Sequence, residues 1–258
     1  MGMGESIRYL TRSKYLGCIA FIVMAYGVSI NLIEVIWKSQ LKLQYSTPGA
    51  YTNFMGHFST VTGIVTLFMF LFVSHNVIRR FGWTVAALIT PVVLMVTGGL
   101  FLNFIVFRDS LMGFLATMGT SPLMMAVLFG AAQNIMSKSS KYSLFDPTKE
   151  MSYIPLDEES KVKGKAAIDV VGARLGKSGG SLIQQMLMAF VPSVTAMAPW
   201  VGGIFLAIGA GWIYCVRALG KQYHALVEKE EAQSVSLEQD VSQAGDAQAF
   251  SPAKPGKA

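Results

Sequence analysis

The chain has 258 residues, of which 52% are hydrophobic and 14% charged, with a net charge of +6 at pH 7. Too apolar for an ordinary water-soluble domain, it must satisfy its backbone in hydrocarbon as helices or as a closed barrel. The apolar runs are about 20 residues long and lack period-two alternation, which excludes barrel strands and points to helices.

In chain order, residues 1–13 form a short basic lead segment, and the first span runs from about Tyr15 to Trp37 with Asn31 and Glu34 as its strongly polar members. The second, about Gly56 to Val77, ends near Arg79 and Arg80. The third, Trp83 to Phe107, follows so closely that a tight helical hairpin is expected. The fourth, about Leu111 to Met136, carries Pro122 as an expected kink. A polar connection, 138–163, leads to the fifth span, 164–194, and the sixth is Trp200 to Val216. The span positions are thus near 15–37, 56–77, 83–107, 111–136, 164–194 and 200–216, within a membrane unit of residues 14–222. Residues 223–258, rich in polar side chains, are expected to be a disordered tail. The fold class is therefore all-α, a polytopic transmembrane bundle of about six spans.

Given six spans, Lys and Arg divide fifteen to three between the two faces, and the basic face includes both termini and the fourth connection. The excess marks the cytoplasmic side, so both termini are expected there. The cations flank membrane segments instead of clustering with aromatics on a soluble face, which argues against nucleic acid as a partner. The first apolar run is too long for a signal peptide and no small-residue cleavage site follows it. Cys18 and Cys215 lie within spans, which gives no support to a disulfide framework or a metal site.

An ionisable group inside a span costs about 2.5–3.5 kcal/mol on insertion scales, so it normally faces protein or water. Glu34, with Asn31 one turn away on the same face, is either one half of a local pair with Lys38 or a carboxylate at the mouth of a solute pathway. The fifth segment mixes charge with small residues: Gly172, Gly176, Gly179 and Gly180 permit close helix approach, with Gly176 and Gly180 in a small-xxx-small step. Lys177 lies about 20 Å along a helix starting near Gly164 and needs anionic company. Asp169 is its candidate partner, Arg174 a competitor, and an anionic solute the remaining possibility. Gly176-Lys177-Ser178 misses the phosphate-loop spacing, because Gly172 is one residue too close. Lys138 and Lys141 fit a helix carboxyl end, and Leu156 to Ser160 reads as a helix start with acids in its first turn. His57 and His75 read as interfacial or packed histidines, and no nucleophile, metal cluster or acid pair suggests an enzyme.

Several long motifs then converge. Asn31-Leu32-Ile33-Glu34-Val35-Ile36-Trp37-Lys38, the stretch Ser137 to Glu150, Tyr153-Ile154-Pro155-Leu156-Asp157, Lys161-Val162-Lys163-Gly164-Lys165, Ile168-Asp169-Val170-Val171 and Leu175-Gly176-Lys177-Ser178-Gly179-Gly180 closely resemble the ATP/ADP translocases of obligate intracellular bacteria and plastids, the chlamydial members most nearly. The similarity covers about residues 14 to 222 and matches the carboxyl-terminal half of the family. It implies one half of a fold like the major facilitator superfamily, a missing amino-terminal six-helix half as partner, ATP and ADP as transported substrates with no cofactor, and a bacterial inner membrane setting. It also implies that Glu34 and Lys177 stand at charged positions needed for transport. Arg174 and Asp169, then Asn31, Asn134 and Lys138, join them from position, as substrate-binding or gating residues and not as catalysts. The resemblance implies exchange of ATP for ADP by alternating access without hydrolysis. It leaves open a proton-coupled nucleotide importer of the same family, and a non-transporting assembly partner remains as a different class.

Overall fold

In the computed structural model, the described residues are 8, 10, 11 and 13–249, with 171, 173, 230, 231 and 233–249 described by backbone alone. Most of the lead segment 1–13 and the end of the tail, 250–258, lie outside them. Among the described residues the chain is helical, with no strand. Helix α1 is Lys14–Gln44, opened by the Ser13 hydroxyl, which accepts from Leu16 N at 3.4 Å. Helix α2 is Pro48–Phe68, with Thr47 as its cap and a proline in the first turn, where no amide donor is needed. A π turn, Met69–Ser74, joins it to α3, His75–Phe107. The short α4, Met112–Thr117, precedes α5, Pro122–Ser140. A second π turn, Lys141–Phe145, continues into α6, Asp146–Met151. After a turn come α7, Glu158–Ala167, a third π turn, Ile168–Gly172, and α8, Ala173–Met188. A 3-10 turn, Thr195–Met197, leads into α9, Ala198–Ala249.

Among the described residues, three helical segments are long and apolar enough to cross a membrane: Lys14–Gln44, Pro48–Phe107 and Thr195–Lys229. The middle one is broken at Gly82, where φ is +77°, a left-handed conformation that glycine adopts without a Cβ penalty. Here the expected hairpin differs from the structure. The limb before Gly82 packs on α5, while the limb after it packs on α5 and α9, and the two do not lie along each other. Pro122 does not kink a span either. It opens α5, behind Ser121, whose hydroxyl accepts from Met124 N at 3.1 Å.

The expected polar connection 138–163 is largely helix. Lys138 lies in the last turn of α5 and Lys141 at its cap, as expected, but the chain does not leave the helix there and stays helical through the second π turn to Met151. The burial of Ser139, Ser140, Ser143 and Thr148 explains why: their hydroxyls suit helix packing, and those of Ser143 and Thr148 bond backward to Ser139 O and Leu144 O, both at 2.7 Å. The start at α7 matches the sequence: Asp157 caps it, accepting from Ser160 N at 3.0 Å, and that bond holds its carboxyl below the ordinary range. The last helix runs well past residue 222, carried by the Ala, Gln, Glu and Lys of 225–249, which are strong helix formers.

Helix α1 is the hub, packed by α8, α9 and α5. Its Trp37, fully buried, donates from Nε1 to Val127 O at 3.0 Å and tilts against Phe58 with ring centres 4.8 Å apart. Large apolar side chains such as Ile64, Phe68, Phe72, Val96 and Leu100 remain exposed, as a lipid-facing surface requires.

Candidate functional site

The site is built where α8 crosses α1. Gly172 lies against Val23, Gly176 against Gly27 and Gly180 against Asn31, a four-residue step on both helices. The approach is backbone to backbone: a Cβ on Gly27 would stand 3.0 Å from Gly176 Cα. This is the small-xxx-small packing expected from Gly176 and Gly180, extended one turn back to Gly172. Gln184, one turn beyond Gly180 and buried, locks the crossing by donating from Nε2 to both Asn31 O at 3.0 Å and Asn31 Oδ1 at 2.9 Å.

The crossing forces Lys177, next after Gly176, to the edge of a cavity of about 260 Å³. Helix α1 supplies Tyr26, Ile30, Asn31 and Glu34, while the second π turn and α6 supply Lys141, Phe145, Asp146 and Lys149, and the third π turn supplies Asp169. The lining charges are three carboxylates and three lysines, but they are not paired evenly. Glu34 Oε1 is 3.1 Å from Lys38 Nζ and 3.6 Å from Lys138 Nζ. Asp146 Oδ2 is 2.6 Å from Lys141 Nζ, and Asp169 Oδ1 is 3.3 Å from Lys149 Nζ. Every acid in the cavity is thus taken by another lysine. Among the described residues Lys177 has no ion-pair partner.

Asp169, expected as the partner of Lys177, therefore pairs with Lys149 instead, because α6 folds back beside the third π turn and brings an ammonium closer. Glu34 makes the local pair with Lys38, one of the two alternatives read from the sequence, and also reaches Lys138 on α5. Asn31 lines the cavity, but Gln184 holds its carboxamide. Arg174 is exposed and is not among the cavity-lining residues, so the structure does not bring it to Lys177. Asn134 is also absent from the lining. It is fully buried, donating from Nδ2 to Gly130 O at 2.9 Å, with its Oδ1 and both amide atoms of Gln133 unpartnered in the protein.

Sequence reasoning missed Lys149, Asp146 and Gln184. Two π turns shape the cavity wall, and such insertions, which concentrate at functional sites, leave no pattern in sequence. Lys141 and Asp146 are five residues apart, a spacing that meets on a π turn and not on an α-helix. One end of the cavity continues into an ion cluster: Lys149 is 3.3 Å from Glu150, and Lys165 is 2.6 Å from it. Partial burial opposes ionisation of Glu150, but the Lys165 hydrogen bond and the Lys149 charge outweigh it and hold the carboxyl below its ordinary value.

The TLC ATP/ADP transporter family model matches residues 1–223. The chain is 53% identical over 247 residues to ADP,ATP carrier protein 1 of Chlamydia trachomatis, covering 95% of this chain and 47% of the relative. It is 51% identical over 231 residues to ADP,ATP carrier protein 2, chloroplastic, of Arabidopsis thaliana, covering 90% and 37%. With ADP,ATP carrier protein 1 of Rickettsia prowazekii, it shares 44% identity over 230 residues, covering 88% and 46%. The chain spans about half the length, or less, of these curated relatives, and no solved structure matches it. The relatives are named as carriers and not as enzymes. A match across 223 of 258 residues, with identities near one half, makes this chain a member of the TLC ATP/ADP transporter family.

Proposed function

We propose that this chain forms a six-helix half of a nucleotide exchanger, moving ATP against ADP by alternating access without hydrolysis. The observation that carries the proposal is Lys177, an exposed ammonium at the edge of a cavity whose acids are all engaged elsewhere. A polyphosphate is the anion that answers it. ATP bears close to four negative charges, and a dry site could not repay its desolvation, so the site has to be basic and wet. Lys141 and Lys149 can turn from their carboxylates to phosphate, while Asp146 and Asp169 keep them neutralised when the site is empty. Glu34 and Lys138 then act as gating partners, Asn31 holds the α1–α8 crossing, and Asn134 and Arg174 have supporting places outside the cavity.

A cavity of 260 Å³ is below the roughly 300–1,000 Å³ of ordinary small-molecule pockets, which fits a site completed by a second six-helix unit. The six crossings are α1, the two limbs of Pro48–Phe107 on either side of Gly82, α5, the α7–α8 helix and α9. At about 1.5 Å per residue a single 60-residue rod would be three times the roughly 30 Å hydrocarbon core, which supports two crossings there. The excess of Lys and Arg favours cytoplasmic termini in a bacterial inner membrane. Exchange of ATP inward for ADP outward moves one net negative charge, opposed by about 2.3 kcal/mol per 100 mV, so the concentration gradients must drive it.

Counterflow in liposomes holding the complete transporter tests this. Labelled ATP uptake that needs internal ADP and ignores a pH gradient is expected. Uptake into ADP-free vesicles driven by external acid means proton coupling instead, and the absence of both nucleotide binding and uptake leaves only an assembly role.

A further inference from the structure

A second opening adjoins the charged cavity. Between α2 and α5 runs a groove of about 640 Å³ whose α2 wall presents Ser59, Thr62 and Thr66, spaced at three and four residues and hence on one helical face. Its other wall carries Lys138 and the half-exposed ring of Tyr142. The two openings share a border. Lys138 lines the groove and pairs with Glu34 of the cavity, while Lys141 lines the cavity with its ammonium 4.4 Å from the centre of the Tyr142 ring.

We propose that this groove receives the nucleobase, with the phosphates in the cavity beyond Lys138 and Lys141. The inference rests on the nucleotide reading above and deepens it. A base is flat, uncharged and edged with donors and acceptors, so it needs a ring to stack on and small hydroxyls, not counter-ions. Tyr142 offers that ring. Thr62 donates to Phe58 O at 2.7 Å, which leaves its oxygen free to accept from a base amine. Ser59 can donate to a ring nitrogen. Phe58, Leu67 and Phe70 complete the lining and suit the flat faces of a base, whereas the hydroxyls and Lys138 supply a polar edge that an acyl chain would not need. Continuity with the cavity favours a nucleotide over a helix of another subunit.

The test is photolabelling of native membranes carrying this chain with an ATP analogue bearing its azide on the base. Label within residues 58–70 or 138–142, suppressed by excess ATP, is expected. Tyr142→Ala should raise the ATP concentration needed for suppression by about tenfold, the worth of a stacking contact. Competition by inorganic triphosphate, which lacks a base, should stay unchanged. ATP-suppressed label elsewhere overturns the groove and leaves nucleotide binding standing, whereas no ATP-suppressed label anywhere removes both. Label in the groove that ATP does not suppress means that lipid or protein occupies it. Equal weakening for ATP and triphosphate makes Tyr142 a structural residue; each of these two results overturns the inference.

Discussion

Gly27 of α1 and Gly176 of α8 cross with their backbones in contact: a side-chain carbon on either would fall within about 3.2 Å of the other's Cα. The position of Lys177 follows from this contact. A wider crossing would carry the ammonium away from Tyr26 and Glu34 and open the cavity between the helices.

Gly27→Ala is therefore expected to destabilise the protein by about 1–3 kcal/mol, the usual cost of overpacking, because the new methyl meets backbone that cannot rotate aside. Gly203→Ala, with open space around its Cβ, should be neutral or slightly stabilising. Thermal unfolding of the two variants in detergent checks the contrast.

Gln184→Ala removes the donor held by both oxygens of Asn31, and about 1 kcal/mol of stability should go with it. Gln184→Glu should be worse, since a carboxylate cannot donate and would face two acceptors. Unfolding midpoints of the wild type and both variants rank the three.

Glu34→Gln should leave Lys38 and Lys138 without their carboxylate and make the site one charge more positive. Nucleotide affinity is expected to rise and turnover to fall, because release becomes harder. Equilibrium ATP binding measured beside exchange rate gives both numbers, and a loss of affinity would speak against the gating role.

The Glu150 cluster sets an acid limit. A carboxyl whose folded pKa lies below its ordinary 4.5 contributes stability that is present above that value and is lost as pH falls through the lower folded one. Acidification below about pH 4.5 should thus lower the unfolding midpoint of wild type more steeply than that of Glu150→Gln. Parallel pH series of thermal melts test the sign.

Much of this was legible in sequence, for identifiable reasons. Apolar runs of bilayer length announced α1, α3 and α9, and the four-residue glycine step announced a close packing of α8, though not that α1 would be its partner. Glu34 and Lys177 stood out because charge inside such runs is costly. Helix α5 was harder to bound, since Ser121 and Pro122 form a start signal that can also be taken for a kink. The ion pairs were not legible. Asp169 was assigned to Lys177 by sequence proximity, yet Lys149, twenty residues earlier, wins because the chain turns back between α6 and α7. The short link before Trp83 was visible, but nothing in its neighbours said that the two limbs would diverge.

The decisive measurement is equilibrium ATP binding to the complete transporter carrying Lys177→Ala, Lys177→Arg or Lys161→Ala. Losing a charged hydrogen bond worth about 1.5–3 kcal/mol should weaken binding by roughly 10- to 150-fold in Lys177→Ala. Lys177→Arg should recover part of the loss, and Lys161→Ala, at an exposed surface pair, should bind as wild type does. If Lys177→Ala binds ATP with unchanged affinity, the ammonium is not the phosphate contact and the cavity is not the nucleotide site.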